Sequence, residues 1–147
     1  MRDFEPKIVV FRCSFCSPPG AERALASKLK SNFRPRMVKT TCTGRIEPSF
    51  ILRAFAKGAD GVMVAGCPPG DCHYVSGNYK AGRNVRLLQN VLSQFGIEPE
   101  RLRAEWTSEA PEFLSSLNEF VDEVTKLGPL KPVRKHGGKK VITASTR

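Results

Sequence analysis

Short apolar segments typical of buried strands alternate with amphipathic segments typical of helices along most of this chain. The strand-like segments are residues 7–11, 36–41, 60–65 and 102–106. The helix-like segments, where apolar side chains recur at helical spacing, are residues 20–31, 47–57, 82–95 and 111–127. This alternation predicts an α/β fold: an open, mostly parallel four-stranded sheet with helices on both faces, joined by right-handed crossovers.

Positive charge is concentrated at the C-terminal end of the chain. The net charge is +10, and six of the basic residues lie between positions 128 and 147 without an acidic residue among them. We expect one α/β domain over residues 1–127 and a solvated basic tail over residues 128–147. The tail has no aromatic residue that could stack on a base, so nucleic acid is not an expected partner.

The composition is that of an ordinary globular protein. Hydrophobic residues make up 40% of the chain and charged residues 26%, and no apolar run approaches the roughly 18 residues of a membrane helix. The beginning of the sequence, MRDFEPKIVVF, lacks the pattern of a secretory signal, which favours a cytoplasmic location without membrane contact. In a reducing compartment, an odd number of cysteines at motif-like spacings indicates metal binding or redox chemistry rather than disulfides.

The cysteines follow the predicted strands. Cys13 and Cys16 come directly after the first strand, Cys42 after the second, and Cys67 and Cys72 after the third. The carboxyl ends of parallel strands meet at one edge of a sheet, and neighbouring strands are about 4.8 Å apart. Open α/β folds also bind their ligands at this edge. We therefore expect the thiols to converge there on one small cofactor, and an iron-sulfur cluster is the preferred interpretation.

Glycines in the loops after these strands favour close approach of the backbone to the cofactor. Gly44 follows Cys42, and Gly70 lies between Cys67 and Cys72. Such loops can direct peptide N–H groups at thiolates or bridging sulfides, contacts that tune the reduction potential. The alternative is that these glycines only form turns.

Zinc is one alternative to an iron-sulfur cluster, because four thiolates also form structural zinc sites. Zinc sites usually pair two C-x-x-C motifs, whereas this chain has one, from Cys13 to Cys16. A doubly wound domain of this length also has enough core to fold without a structural metal.

A second alternative is a thiol oxidoreductase. A C-x-x-C motif between a strand and a helix is where thioredoxin-like proteins carry their redox dithiol, which fits Cys13 and Cys16. This hypothesis leaves Cys42, Cys67 and Cys72 without a role, and the region lacks the order of elements that the thioredoxin fold requires.

The cysteines are embedded in a much longer pattern. It consists of Cys13-x-x-Cys16; Cys42-Thr43-Gly44-Arg45-Ile46, followed by Pro48-x-Phe50-Ile51-Leu52-x-Ala54-Phe55-x-x-Gly58-Ala59-Asp60-Gly61-Val62; Gly66-Cys67-x-x-Gly70-Asp71-Cys72-His73-Tyr74; Gly77-Asn78-Tyr79-Lys80; and Glu100-Arg101-Leu102-Arg103-x-Glu105-Trp106. On these residues the chain resembles the small delta subunit of methyl-viologen-reducing hydrogenase, a family of iron-sulfur proteins associated with heterodisulfide reductases. The resemblance covers roughly residues 6–126.

This resemblance implies a 2Fe-2S cluster that passes electrons from a hydrogenase or formate dehydrogenase type partner to the flavin-containing subunit of a heterodisulfide-reductase-like complex. We accordingly predict a domain of flavodoxin-like architecture that acts as an electron-transfer subunit of an oxidoreductase complex in anaerobic metabolism. The chain itself is expected to catalyse nothing, because it has no evident acid-base pair, nucleophile triad or nucleotide-binding fingerprint.

Five thiols are present for four ligand positions. Cys42, Cys67 and Cys72 are expected ligands, whereas Cys13 and Cys16 compete for the fourth position, and the spacing does not decide between them.

Other residues in the pattern are candidates for contacts around the cluster. His73 is an alternative ligand, as histidine is in Rieske centres, but hydrogen bonding or shielding is the preferred role. Tyr74 is predicted to shield the cluster from water, or else only to pack a long loop. Arg45, Lys80 and Arg83 are predicted to face an acidic partner or to offset the cluster's charge; the alternative is that they are solvated surface residues.

Overall fold

The fold is seen in a computed structural model that describes residues 4–15 and 35–131. The strands are β1 (Ile8–Cys13), β2 (Arg36–Thr40), β3 (Gly61–Gly66) and β4 (Leu102–Trp106). The α-helices in these ranges are α1 (Pro48–Ala56), α2 (Gly77–Gln94) and α3 (Ala110–Leu127), and short 3-10 turns span Thr43–Arg45 and Pro99–Arg101. The helix predicted at residues 20–31, Cys16 and most of the basic tail lie outside the described residues.

The strands form one parallel sheet in the order β2-β1-β3-β4. This confirms the predicted α/β fold, and the order is compatible with a flavodoxin-like architecture. The chain passes from β1 to β2 on one side and then crosses to β3 on the other side of β1. The loops after β1 and β3 therefore diverge, which creates the crevice where open α/β sheets bind ligands.

Each face of the sheet carries its own apolar core, because successive strand residues point to opposite faces. On one face, Val62 and Val64 pack with Ile51 of α1 and Leu88 of α2. On the other face, Val10 and Met63 pack with Leu117 and Phe120 of α3, all of them almost fully buried. A buried side chain of this size contributes about 1.5–3 kcal/mol. No helix in the described part of the chain is both long and apolar enough to cross a membrane.

Two elements have a boundary that differs by more than one residue from the bounds that the sequence predicts. Strand β1 continues to Cys13 rather than ending at residue 11, and α2 begins at Gly77 rather than at residue 82. The first extension is masked in the sequence by Arg12, which is buried although it is charged. The second is masked because Gly77 and Asn78 are poor helix formers, and tertiary contacts override that preference. Strand β4 has the predicted bounds.

The edge of the sheet where the strands begin is held together by Asp60 and Arg101, both buried. The Asp60 carboxylate accepts hydrogen bonds from the backbone N–H groups of Lys7 and Leu130, both at 2.8 Å. The Arg101 guanidinium donates to the Asp60 carbonyl at 3.0 Å and to Glu98 Oε2 at 2.6 Å. Because a buried guanidinium is costly unless it is paired, these bonds stabilise the edge.

The ion pair at this edge makes the stability of the protein depend on pH. Arg101 lowers the pKa of Glu98 through a direct hydrogen bond, so Glu98 stabilises the fold above its unfolded pKa and loses this effect as the pH falls through the folded value. We expect Glu98→Gln to cost about 1 kcal/mol at neutral pH, a value reduced by the partial exposure of the carboxylate. Urea unfolding at several pH values measures this cost.

The matched control is Glu5→Gln, which changes an exposed carboxylate before β1. The cost of Glu98→Gln should disappear in acid, where the wild-type carboxyl is also protonated. A cost that stays constant down to acidic pH would show that the charge of Glu98 is not responsible.

Candidate functional site

Four cysteines form a buried cluster of their own at the edge of the sheet where the strands end, hereafter the carboxyl edge. Cys13 is the last residue of β1 and lies on the same face as Phe11, two residues before it. Cys42 follows β2, Cys67 directly follows β3, and Cys72 lies in the loop before α2. The exposed fractions are 2%, 5%, 6% and 9%, respectively. The structure thus brings together four of the five predicted site cysteines; Cys16 lies outside the described residues.

The four sulfurs are arranged as two pairs. The Sγ atoms of Cys13 and Cys67 are 3.8 Å apart. The thiols of Cys42 and Cys72 hydrogen-bond to each other. Cys67 is disulfide-bonded, whereas Cys13, Cys42 and Cys72 are free thiols.

The second pair depends on the close approach of two glycines. A Cβ atom on Gly77 would overlap Cys42 Sγ and would lie 3.2 Å from Cys72 Sγ. A Cβ atom on Gly44 would lie 2.7 Å from the Gly77 Cα atom. Only glycine at both positions lets the 3-10 turn after β2 and the first turn of α2 meet with the sulfurs beside them.

Backbone N–H groups surround Cys72 at the start of α2. Burial would raise the pKa of the Cys72 thiol, but hydrogen bonds from the N–H groups of Asn78, Tyr74 and Gly77 favour the thiolate, and the net effect is a lowered pKa. The pKa of Cys42 is instead raised, mainly by burial, although the Gly44 N–H group donates to its sulfur at 3.4 Å. When the two thiols share one proton, the thiolate therefore forms on Cys72.

Asn78 fixes the loop that carries Cys67 and Cys72. Its side chain is buried, and Nδ2 donates to the carbonyl oxygens of Cys67 at 3.1 Å and Pro68 at 3.0 Å. Its Oδ1 atom accepts the Tyr79 N–H group at 2.9 Å. These bonds join the first turn of α2 to the end of β3, and they satisfy carbonyl groups that would be costly to bury unpaired.

The predicted contact residues have different positions. Gly44 lies at the Cys42 sulfur. Gly70, with a φ of 91°, occupies an exposed turn closed by the Asp71 N–H group and the Pro68 carbonyl. The ring of His73 stacks on Phe15 at 4.0 Å between centroids, and Tyr74 packs edge-on against both rings.

The contributions of Gly77 and Asn78 are not predicted from the sequence. Both belong to the Gly-Asn-Tyr-Lys segment that follows the cysteine-rich loop, and this placement is the available signal. Their roles depend on contacts with Cys42 and Cys67, which are distant in the sequence, so local pattern alone does not reveal them.

Known proteins match the chain across the region that contains this site. The family model described as "Methyl-viologen-reducing hydrogenase, delta subunit" matches residues 8–128. The chain is 46% identical to the iron-sulfur subunit of a vhc F420-non-reducing hydrogenase from Methanococcus voltae, over 86% of this chain and 90% of that protein. It is 45% identical to the iron-sulfur subunit of an F420-non-reducing hydrogenase from Archaeoglobus profundus, over 88% of this chain and 96% of that protein.

A third relative is much longer. It belongs to a ferredoxin/F420H2-dependent CoB-CoM heterodisulfide reductase from Methanosarcina acetivorans, of which it is one subunit, and it is 39% identical over 85% of this chain but only 16% of its own length. Domains like this one therefore occur both as separate subunits and as parts of larger proteins. The family match and these relatives show that the chain belongs to the family of methyl-viologen-reducing hydrogenase delta subunits, and that its role is that of an electron-transfer subunit in hydrogenase and heterodisulfide reductase systems.

Proposed function

We propose that the protein carries one 2Fe-2S cluster, held by Cys13, Cys42, Cys67 and Cys72, and that it relays single electrons between larger redox subunits. The arrangement of four buried sulfurs in two pairs at the carboxyl edge carries this proposal. In such a cluster two irons are bridged by sulfides, and cysteine thiolates complete the coordination of each iron. One pair of cysteines for each iron is the arrangement that it requires.

The distance within the first pair supports a shared iron. Two thiolates on one tetrahedral metal with bonds of about 2.3 Å lie about 3.8 Å apart, which is the separation of the Cys13 and Cys67 sulfurs. Ligands must be thiolates, so the Cys67 disulfide has to be reduced before the cluster is assembled. Assembly in vitro should therefore need a thiol reductant.

A single zinc ion fits the described residues less well. Zinc would require three or four ligands within about 3.8 Å of one another. No group of three cysteine, histidine or acidic side chains in residues 4–15 and 35–131 meets the geometry for holding one ion. The wider separation between the two pairs suits a binuclear cluster.

The surroundings of the site suit a redox cofactor. N–H groups of Gly44, Gly77 and Asn78 point at the sulfurs of Cys42 and Cys72. Such donors stabilise the charge on thiolate ligands and raise the potential of a cluster relative to one without them. Burial of all four cysteines limits the access of water, which would otherwise promote hydrolysis of the cluster.

The relatives suggest the partners. Two are named as hydrogenase iron-sulfur subunits, and a third carries a similar domain within a longer chain of a heterodisulfide reductase. A domain that is fused to a protein in one organism often binds that protein in another. We therefore propose that the electron acceptor is the flavin-containing subunit of a heterodisulfide-reductase-like complex in the cytoplasm, and that the donor is a hydrogenase or formate dehydrogenase type subunit.

A thiol oxidoreductase remains the second candidate, because Cys67 is disulfide-bonded and the pKa of Cys72 is lowered. It would act without iron, so metal analysis separates it from an electron relay.

The first experiment determines iron, acid-labile sulfide and zinc in protein purified without oxygen, together with Cys13→Ser and Cys16→Ser. We expect two irons and two sulfides per chain in the wild type and in Cys16→Ser, and loss of the cluster in Cys13→Ser. A cluster that survives Cys13→Ser but not Cys16→Ser would mean that the fourth ligand is misassigned. A colourless wild-type protein without iron would refute the relay itself.

The close approach at Gly77 gives a second prediction. Gly77→Ala should displace the Cys42 sulfur and reduce cluster content at least several-fold, because the new Cβ atom would overlap it. Iron content and visible absorption of the reconstituted protein measure this loss.

The matched control is Gly82→Ala on the same helix, where a Cβ atom would make an ordinary contact of 3.4 Å with the Trp106 ring. It should keep the cluster and stabilise α2 by about 0.5–1 kcal/mol. Equal cluster contents in the two variants would show that the close packing at Gly77 is not needed for assembly.

A further inference from the structure

A cleft leads from the protein surface to the Cys42 sulfur. Its volume is about 650 Å³, and Cys42, Gly77, Arg45, Lys80 and Tyr74 are among the residues that line it. The other three cysteines are not part of its lining. The cleft therefore connects solvent with the Cys42 and Cys72 side of the site.

The cleft is positively charged. Arg45 and Lys80 are its charged lining residues, and none of the lining residues is acidic. The first turn of the 18-residue helix α2 adds the partial positive charge of its N–H groups. A group that enters this cleft should be negatively charged.

The rim of the cleft is apolar and exposed. Phe15, His73 and Tyr74 form an aromatic stack at the surface, in which Phe15 is 51% exposed and Tyr74 49%. Beside them, Val75 is 80% exposed and has a φ of 66°, which is unfavourable for a β-branched residue. Strained backbone that presents an apolar side chain to solvent is typical of functional surfaces.

We propose that this cleft and its rim, hereafter the cationic cleft, form the docking site for an acidic surface segment of the redox partner. One electron passes there between the cysteine-bound centre and the partner's cofactor, and no atom is transferred. The inference rests on the proposed function and adds to it the face of the molecule through which the electron moves.

A protein segment fits better than a free phosphate or nucleotide. Aromatic residues and arginine are enriched at protein interfaces, and here both adjoin the opening of the cleft. The exposed stack and Val75 extend the contact area beyond a pocket for a small anion. Opposite charges on the partner would also accelerate association, an effect that salt weakens.

The test compares two double charge reversals in the reconstituted full-length protein. Arg45→Glu with Lys80→Glu alters the cationic cleft, whereas Lys7→Glu with Lys57→Glu makes the same change of charge at exposed positions near the opposite edge of the sheet. Iron and sulfide content should be unchanged in both. Oxidation of the reduced protein by the anionic chelate ferric EDTA and by the cation hexaamminecobalt(III) is followed by stopped flow at low salt.

We expect the cleft variant to react about ten-fold more slowly with ferric EDTA than the control variant, and faster with the cobalt complex. Equal rates in the two variants would overturn the proposal, because the electron would then leave elsewhere. This measurement needs no natural partner, so it remains decisive if the partner named above is wrong.

Binding provides a readout that does not depend on electron transfer. The flavin-containing heterodisulfide reductase subunit of the same organism should bind the cleft variant at least ten-fold more weakly than the control variant, as measured by calorimetry. Val75→Gly should weaken binding as well, while the melting temperature stays constant or rises because the strained backbone is relieved.

Each other outcome counts against a specific statement. Wild-type binding that all three variants retain would overturn the docking site but not the proposed function. No binding by the wild type would contradict the proposed partner, and the ferric EDTA rates would then decide on the cleft alone. Saturable binding of FMN or inorganic phosphate that depends on Arg45 and Lys80 would show a small-anion site instead.

Discussion

Parallel pairing of β1 with both β2 and β3 is the constraint on which the site depends. It brings the ends of three strands to one edge, so residues 29 positions apart, such as Cys13 and Cys42, or 54 apart, such as Cys13 and Cys67, become neighbours. The pairing in turn depends on two apolar cores, one on each face of the sheet. The cysteines belong to neither core, which leaves their sulfurs available for chemistry.

The two edges of the sheet have different tasks. Where the strands begin, Asp60 and Arg101 tie the segments before β1 and after α3 to the sheet through buried polar contacts. Where the strands end, glycines replace side chains, a valine adopts a left-handed backbone conformation and aromatic rings are exposed. Such features reduce stability, and the firmly held opposite edge offsets that cost. Proteins commonly locate function in this kind of locally unfavourable structure.

The sequence is sufficient to predict the class of fold and the edge at which the cysteines meet. Apolar periodicity reports directly on strands and helices, and parallel topology determines where the following loops emerge. It does not predict the pairing of the sulfurs, the glycine contact at Gly77 or the hydrogen bonds of Asn78, because each arises between segments that are distant in the chain. For the same reason the predicted start of α2 is too late. The helix at residues 20–31, the role of Cys16 and the basic tail stay predictions.

The central claim is that four cysteines in two pairs hold two irons. Mössbauer spectroscopy of the protein, reconstituted anaerobically with iron-57, tests it most directly because it reports the number, oxidation state and coordination of the irons. The account predicts two ferric sites in tetrahedral sulfur coordination that are coupled to a diamagnetic ground state, and localisation of one added electron on a single iron after reduction. A spectrum of one isolated iron or of a four-iron cluster would contradict it.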